Sequence, residues 1–160
     1  MRTLTLLFFF LLVSAPALAW EARVVAVADG VTITVLTPDN RRIKIRLYGI
    51  DCPERRQAFG KSARQATSDA VYGKNVDVWP IETDRYGRTV AVVSPVAGHG
   101  DSLNLILVRT GMAWVYPQYC KSDAICAPLR AAETEARERH LGLWEDKDPI
   151  PPWEWRKTHR

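Results

Sequence analysis

Residues 46–54 read Arg46-Leu47-Tyr48-Gly49-Ile50-Asp51-Cys52-Pro53-Glu54, and the rest of the chain is organised around this stretch. Apolar and cationic residues alternate up to Leu47, which predicts a strand with one apolar face and one row of cations. The alternating residues are Arg42, Ile43, Lys44, Ile45, Arg46 and Leu47. Gly49 and Pro53 then break the strand. The carboxylates of Asp51 and Glu54 are therefore predicted to lie on a turn beside the end of a cationic strand.

Such a turn is suited to two kinds of binding. Carboxylate oxygens on a turn can hold a hard divalent cation, and an arginine on a rigid strand can bind a phosphate with a bidentate fork. Phosphodiester cleavage uses both, because charge develops on the phosphate oxygens and must be neutralised. An ordinary charged surface turn explains residues 46–54 about equally well, so this stretch alone leaves the two interpretations open.

The beginning of the chain is set apart by its composition. Arg2 gives a short basic start, residues 4–13 are almost wholly apolar, and Ala17-Leu18-Ala19 is a small-x-small cleavage signal. An uncleaved membrane anchor is the alternative, but the apolar run is too short to span a bilayer comfortably. We expect a secretory signal peptide over residues 1–19, cleavage before Trp20, and export to the periplasm or the extracellular medium.

The remaining composition is that of one globular domain. The 160 residues are 47% hydrophobic and 25% charged, which is enough apolar material for a core. The formal charge of +4 falls by one when Arg2 is removed, and a modest basic excess favours a polyanionic partner. We expect a monomeric domain over residues 20–160, without membrane binding after cleavage, whose tail over residues 145–160 is rich in proline and tryptophan.

Three cysteines are compatible with export. Cys120 and Cys126 are close in sequence and can close a small loop, so we expect them to form a disulfide. Cys52 is then left single inside the central stretch. A nucleophilic thiol is one interpretation of Cys52, but the three histidines are remote in sequence, and we predict a small buried residue.

Alternation and turn residues predict five strands, with one helix between the third and the fourth. The predicted strands cover residues 20–28, 31–36, 41–48, 75–79 and 89–93, and the helix runs from about Phe59 to Gly73. Pro80 is expected to limit the fourth strand. This order predicts an α+β protein built on a five-stranded Greek-key β-barrel of the oligonucleotide-binding (OB) type.

Two further helices are predicted beyond the barrel, one from Ser102 to Gly111 and one from about Pro128 to His140. The inner stripe of the last helix is predicted to contain Leu129, Ala132, Ala136 and His140. Glu133 lies beside that stripe and is predicted to make a buried structural contact. The prolines of residues 148–155 are expected to prevent a helix there, so that the tail wraps the surface and anchors through its tryptophans.

Trp114 and Tyr116 are two residues apart on a short extended piece, so both rings are expected to leave the same face. Packing in the core and stacking on a nucleic-acid base are about equally compatible with this pattern.

Three motifs in this order resemble the staphylococcal nuclease (thermonuclease) family of calcium-dependent nucleases, in its exported bacterial branch. They are Asp29-Gly30-Val31-Thr32, residues 46–54, and Asp84-Arg85-Tyr86-Gly87-Arg88. The resemblance covers nearly all of residues 20–160. It implies the five-stranded OB barrel with about three helices, and an endonuclease that hydrolyses DNA and RNA phosphodiesters.

The resemblance also implies catalytic roles. Arg46 and Arg88 would bind the scissile phosphate and stabilise the transition state, and Glu54 would orient or deprotonate the attacking water. Tyr86 would contact the nucleotide's terminal phosphate, and Arg85 would also bind the substrate.

The resemblance further implies one Ca²⁺ ion and a place for the substrate base. Asp51 and the backbone carbonyl of Cys52 would bind the calcium, with Asp29 as a further candidate ligand. Trp114 and Tyr116 would lie near the bound base.

Val31 departs from the family pattern. The family's first motif is Asp-Gly-Asp-Thr, whose second aspartate binds calcium, whereas Val31 has no side-chain oxygen. Loss of one charged ligand weakens a calcium site. The resemblance therefore implies a nuclease with a weakened calcium site. The alternatives are a non-catalytic OB module that binds nucleic acid and a barrel that binds a protein partner.

Overall fold

The computed structural model describes residues 18–96 and 100–159. The predicted signal peptide lies outside the described residues apart from its last two positions, so it stays a prediction. Among the described residues, none of the helices has the length and apolar character needed to cross a membrane.

The described residues form a closed five-stranded barrel, a small two-stranded sheet and four α-helices. The elements are β1 (Trp20–Asp29), β2 (Thr32–Leu36), β3 (Arg42–Leu47), β4 (Ile50–Asp51), α1 (Gly60–Val71), β5 (Asn75–Thr83), β6 (Thr89–Pro95), α2 (Leu103–Arg109), β7 (Trp114–Val115), α3 (Asp123–Glu138), a 3₁₀ turn (Gly142–Glu145) and α4 (Pro152–Thr158). The barrel order β1-β2-β3-β6-β5 closes on itself and confirms the predicted OB-type barrel.

The barrel forms because its strands alternate between an inner apolar face and an outer polar one. On β3, Ile45 and Leu47 are buried while Arg42 and Lys44 are exposed. Fully buried residues from all five strands fill the interior, among them Val24, Ile33, Ile45, Val78 and Val93. β3 pairs in parallel with β6, so that Arg46 lies opposite Val90. This pairing brings the start of β6, which follows the third motif, beside the cationic strand.

The prediction that Pro80 limits its strand is wrong, because β5 continues to Thr83. The pairing of β5 with β1 ends at Val78, so beyond this point β5 has only β6 as a neighbour. Pro80 also lies at a register shift between β5 and β6. A proline is tolerated at such a one-sided, irregular position because its missing N–H deprives no partner strand.

The last long helix starts earlier than predicted. α3 begins at Asp123 and includes Pro128 within it. The loop closed by Cys120 and Cys126 fastens the first turn, and the packing of the buried apolar stripe offsets the hydrogen bond that proline cannot make. His140 was wrongly placed in that stripe: it is exposed and has a left-handed φ of 52° just past the helix end. The buried residues of the stripe are Leu129, Ala132 and Ala136, as predicted.

The prediction that the tail prolines exclude a helix is wrong. Pro152 is the first residue of α4 and Pro151 precedes it. A proline is favourable at this position because its fixed φ suits the first turn and its missing N–H would have no helical partner. The expected anchoring of the tail by tryptophan is confirmed for Trp153, whose ring packs against Trp114 and Tyr116.

Candidate active site

Arg46 and Asp51 form the buried centre of the site. Arg46 Nη2 donates to Asp51 Oδ1 over 2.9 Å, and Arg46 Nη1 donates to the carbonyl of Leu47 over 2.9 Å. The chain can return from β3 to β4 within a few residues because Gly49 adopts a left-handed φ of +71°. A side chain at Gly49 would also collide with Cys120, since a Cβ there would lie 2.6 Å from its Sγ.

Asp51 is the most buried carboxylate of the site, with 3% of its surface exposed. Burial raises the pKa of Asp51, while the positive charges of Arg46 and Arg156 oppose that rise. Each of its two oxygens accepts a hydrogen bond from a different guanidinium. Asp51 is therefore a paired group whose oxygens are already engaged by the protein.

The first motif packs against the second through Gly30. A Cβ built at Gly30 would lie only 2.7 Å from Sγ of Cys52, so the turn between β1 and β2 touches Cys52 closely. The Asp29 carboxylate accepts a hydrogen bond from the backbone N–H of Val31 over 2.9 Å and so caps its own turn. Val31 is only 6% exposed and lies in the apolar core.

The predictions about the cysteines are confirmed. Cys120 and Cys126 form a disulfide, and Cys52 is a buried free thiol within the described residues. Burial raises the pKa of the Cys52 thiol well above its usual value, and the charge of Asp51 acts in the same direction. A thiol of this kind is inert at neutral pH, in agreement with a packing role.

The third motif is a turn built around Asp84. Its carboxylate accepts hydrogen bonds from the backbone N–H groups of Tyr86 and Arg88, and Arg88 Nε donates to it over 2.7 Å. The pKa of Asp84 is lowered: its slight burial opposes the shift, and the hydrogen bonds from Arg88 and Tyr86 outweigh it. The guanidiniums of Arg85 and Arg88 each lie 5.5 Å from the ring centre of Tyr86, which is 73% exposed. This turn therefore presents Arg85 and Tyr86 to solvent, while Arg88 is partly buried beside Asp84.

The β4–β7 ladder brings the aromatic pair beside the carboxylates. Trp114 is the direct partner of Asp51 on this ladder, and the N–H of Tyr116 donates to the carbonyl of Gly49 over 2.8 Å. Trp114 is buried against Trp144 at a ring distance of 4.3 Å.

Two further predictions about this region are confirmed. Trp114 and Tyr116 both contact the ring of Trp153, so both rings leave the same face. Glu133 has the predicted structural role, because its Oε1 accepts a hydrogen bond from the N–H of Val115 over 2.9 Å.

Sequence reasoning missed Arg156, which comes from α4. Arg156 Nη2 donates to Asp51 Oδ2 over 2.7 Å, and Arg156 Nη1 donates to Glu54 Oε1 over 2.6 Å. Partial burial lowers the pKa of Arg156, but the hydrogen bonds to Asp51 and Glu54 outweigh it, so that the pKa is raised above its usual value. A local signal for Arg156 was available in the sequence. If Pro151 and Pro152 are interpreted as a helix start, Trp153 and Arg156 are three residues apart and lie on the same helix face.

The donor set does not fit a calcium ion in this arrangement. Calcium takes six to eight oxygen ligands, but both oxygens of Asp51 and one of Glu54 accept hydrogen bonds from arginines. Val31 offers no side-chain oxygen, and Asp29 caps its own turn. Within residues 18–96 and 100–159, no group of three histidine, cysteine, aspartate or glutamate side chains is placed to hold a metal.

The structure thus brings together only part of the predicted site. Arg46 and Asp51 are in direct contact, and Glu54 joins them through Arg156. Among the described residues, the side chain of Arg88 pairs with Asp84 and makes no hydrogen bond or ion pair with Arg46, Asp51 or Glu54. The catalytic and binding roles of these residues stay predictions.

Comparison with known proteins identifies the family. Residues 44–146 match the family model described as staphylococcal nuclease homologue. An uncharacterized endonuclease of Haemophilus influenzae is 44% identical over 138 residues, which are 86% of this chain and 74% of the relative. The micrococcal nuclease of Shigella flexneri is 42% identical over 157 residues, which are 94% of this chain and 88% of the relative. The chain belongs to the staphylococcal nuclease family.

Proposed function

We propose that this protein is a nuclease that hydrolyses phosphodiester bonds of DNA, RNA or both. Its family and its similarity to proteins named endonuclease and micrococcal nuclease support this proposal. The observation that supports it most directly is the arrangement around Asp51. Arg46, a residue of the type that binds phosphate, pairs directly with that buried aspartate. Glu54, a partly exposed carboxylate, is linked to the same aspartate through Arg156.

In this proposal the two arginines act on the phosphate. Arg46 is held by Asp51 and by the carbonyl of Leu47, and Arg88 is held by Asp84, so neither guanidinium has to be ordered when substrate arrives. Their charges stabilise the negative charge that develops on the phosphate oxygens. Tyr86 contacts the terminal phosphate of the bound nucleotide, and Arg85 also binds the substrate.

Glu54 is the proposed base of the reaction. It takes a proton from the attacking water or orients that water, and its side chain is 41% exposed, which gives water access to it. Tyr116 lies near the substrate base, and Trp114 supports it from the core side. No covalent intermediate is involved, so the buried thiol of Cys52 has no part in the chemistry.

We also propose a weakened calcium site. Its proposed donors are Asp51, once one of its oxygens is released from an arginine, and the carbonyl of Cys52. Asp29 is a further candidate ligand, and Val31 contributes no oxygen. The number of charged ligands tunes calcium affinity, so the ion is bound less tightly than by a site with the second aspartate. The proposed export to the periplasm or the medium is supported by the Cys120–Cys126 disulfide, because such bonds persist in oxidising compartments.

The test is cleavage of single-stranded DNA by the protein over a series of calcium concentrations. We expect cleavage at raised calcium, a loss of about 10²-fold or more in Glu54→Gln and in Arg88→Ala, and a lower calcium requirement in Val31→Asp. Arg139→Gln, which changes an exposed arginine at the C-terminal cap of α3, should cleave like the unaltered protein. Absence of cleavage by both the folded unaltered protein and folded Val31→Asp would contradict the proposal.

The second candidate function is a non-catalytic module that binds nucleic acid. The bond between Glu54 and Arg156 favours it, because the proposed base is paired with an arginine. This alternative predicts salt-sensitive binding of nucleic acid without cleavage at any calcium concentration. The same calcium series, combined with binding measurements at two salt concentrations, separates the two functions.

A further inference from the structure

The carboxylates of Asp51 and Glu54 face a cation that belongs to the chain itself. Arg156 reaches Asp51 Oδ2 with one guanidinium nitrogen and Glu54 Oε1 with another, over 2.7 and 2.6 Å. One guanidinium thus bridges two carboxylates through short charge-assisted hydrogen bonds. We propose that Arg156 is a tethered counter-cation in the position of a divalent ion, and that a divalent ion binds this site only by displacing it.

Competition follows from the use of the same oxygens. Ca²⁺ needs carboxylate oxygens at about 2.3–2.6 Å, and the oxygens that face Arg156 already accept hydrogen bonds from its nitrogens. The other oxygen of Asp51 is held by Arg46. An ion added beside an undisplaced Arg156 would also be repelled by that like charge at close range. Displacement of Arg156 frees Asp51 Oδ2 and Glu54 Oε1 and removes the repelling charge, while Arg46 keeps its hydrogen bond to Asp51 Oδ1.

The charges of the cluster are balanced without a metal. Asp51 and Glu54 contribute two negative charges, and Arg46 and Arg156 contribute two positive ones. Two buried or half-buried carboxylates without counter-charges would be unfavourable. Arg156 therefore has a physical role in the metal-free protein, which is to neutralise the pair that a divalent ion would otherwise neutralise.

The tail helix delivers Arg156 to this position. The ring of Trp153 stacks on Tyr116 at 4.5 Å with an interplanar angle of 10°, and it meets Trp114 edge-on at 5.9 Å. Before the helix, Gln57 Nε2 donates to the carbonyl of Ile150 over 2.6 Å. These anchors keep the guanidinium at a high effective concentration beside the carboxylates, which makes it a strong competitor for an ion from solution.

Val31 and Arg156 act in the same direction from distant parts of the chain. Val31 lacks the carboxylate oxygen that an aspartate at this position would offer to an ion. Arg156 supplies a cation that an ion must displace. Displacement of Arg156 would also free Glu54 to act on water, and this effect on cleavage rests on the proposed function. The competition for the carboxylates does not, because it is a property of ion binding alone.

The experiment is calcium binding by isothermal titration calorimetry on the full protein, without nucleic acid. Arg156→Gln removes the competing charge and keeps a polar but shorter side chain. We expect it to bind Ca²⁺ about tenfold more tightly than the unaltered protein, or better. Because no substrate is present, the result is independent of whether the protein cleaves DNA.

Two further variants sharpen the experiment. Trp153→Ala removes the main anchor of α4 and should also tighten calcium binding, although Arg156 is still present. Arg139→Gln is the matched control, because Arg139 is an exposed arginine at the C-terminal cap of α3 whose side chain pairs only with Glu135 among the described residues. The calcium affinity of this variant should be unchanged. Equal affinities in the unaltered protein and Arg156→Gln, weaker binding by Arg156→Gln, or no measurable binding by any of the proteins would overturn the proposal.

Discussion

The barrel side and the tail side of the site are built in different ways. On the barrel side, Arg46 and Asp51 are five residues apart, and a strand, a glycine turn and a short ladder hold them together. On the tail side, Arg156 meets Glu54 across 102 residues and Asp51 across 105. Its position depends on the packing of one short helix. The barrel side should therefore be as stable as the barrel, whereas the tail side can open locally without unfolding it.

The largest expected effect is on the barrel side. Arg46→Ala should lower DNA cleavage by about 10²–10³-fold, because it removes a preorganised cation from the phosphate site and leaves Asp51 buried with one partner fewer. Initial rates of single-stranded DNA cleavage check this.

Arg42→Ala is the matched control for that change, because Arg42 is an exposed arginine on the same strand. It should leave the rate within a few-fold of the unaltered protein. An equal loss of cleavage in both variants would mean that Arg46 acts only through the general charge of β3.

An intermediate effect is expected where the first motif packs on the second. Gly30→Ala should lower the free energy of unfolding by about 1–3 kcal/mol, because the new Cβ would overlap Sγ of Cys52 and must push it aside. Chemical denaturation measures this change. Gly100→Ala is the control, since a Cβ at Gly100 would meet no atom of the described residues within 4 Å. Unchanged stability in both variants would show that the contact between Gly30 and Cys52 is loose.

The smallest effect on global stability is expected on the tail side. Trp153→Ala should change the free energy of unfolding by less than about 1 kcal/mol, because α4 opens before the barrel does. Hydrogen exchange should nevertheless become faster in α4 while the amides of β3 stay protected. A large loss of global stability, together with faster exchange in β3, would show that the two sides of the site are one cooperative unit.

The sequence predicted the barrel well because the signals were local. Alternation along β3, turn residues at Gly30 and Gly49, and the helix stop at Gly73 each act within a few residues. The errors came where long-range packing overrode a local rule. Pro80 continues its strand because only one neighbour is present there, and Pro128 sits inside a helix whose first turn is fastened by the Cys126 disulfide.

The sequence by itself determined where the barrel strands lie along the chain and the closeness of Arg46 to Asp51, because each depends on residues near one another in the chain. Only the tertiary structure decided that α4 docks on the site, that Trp153 covers Tyr116, and that Arg156 neutralises the carboxylates. The physical reason is that the fit of two distant surfaces, here an aromatic stack and a bridging guanidinium, has no local pattern that encodes it.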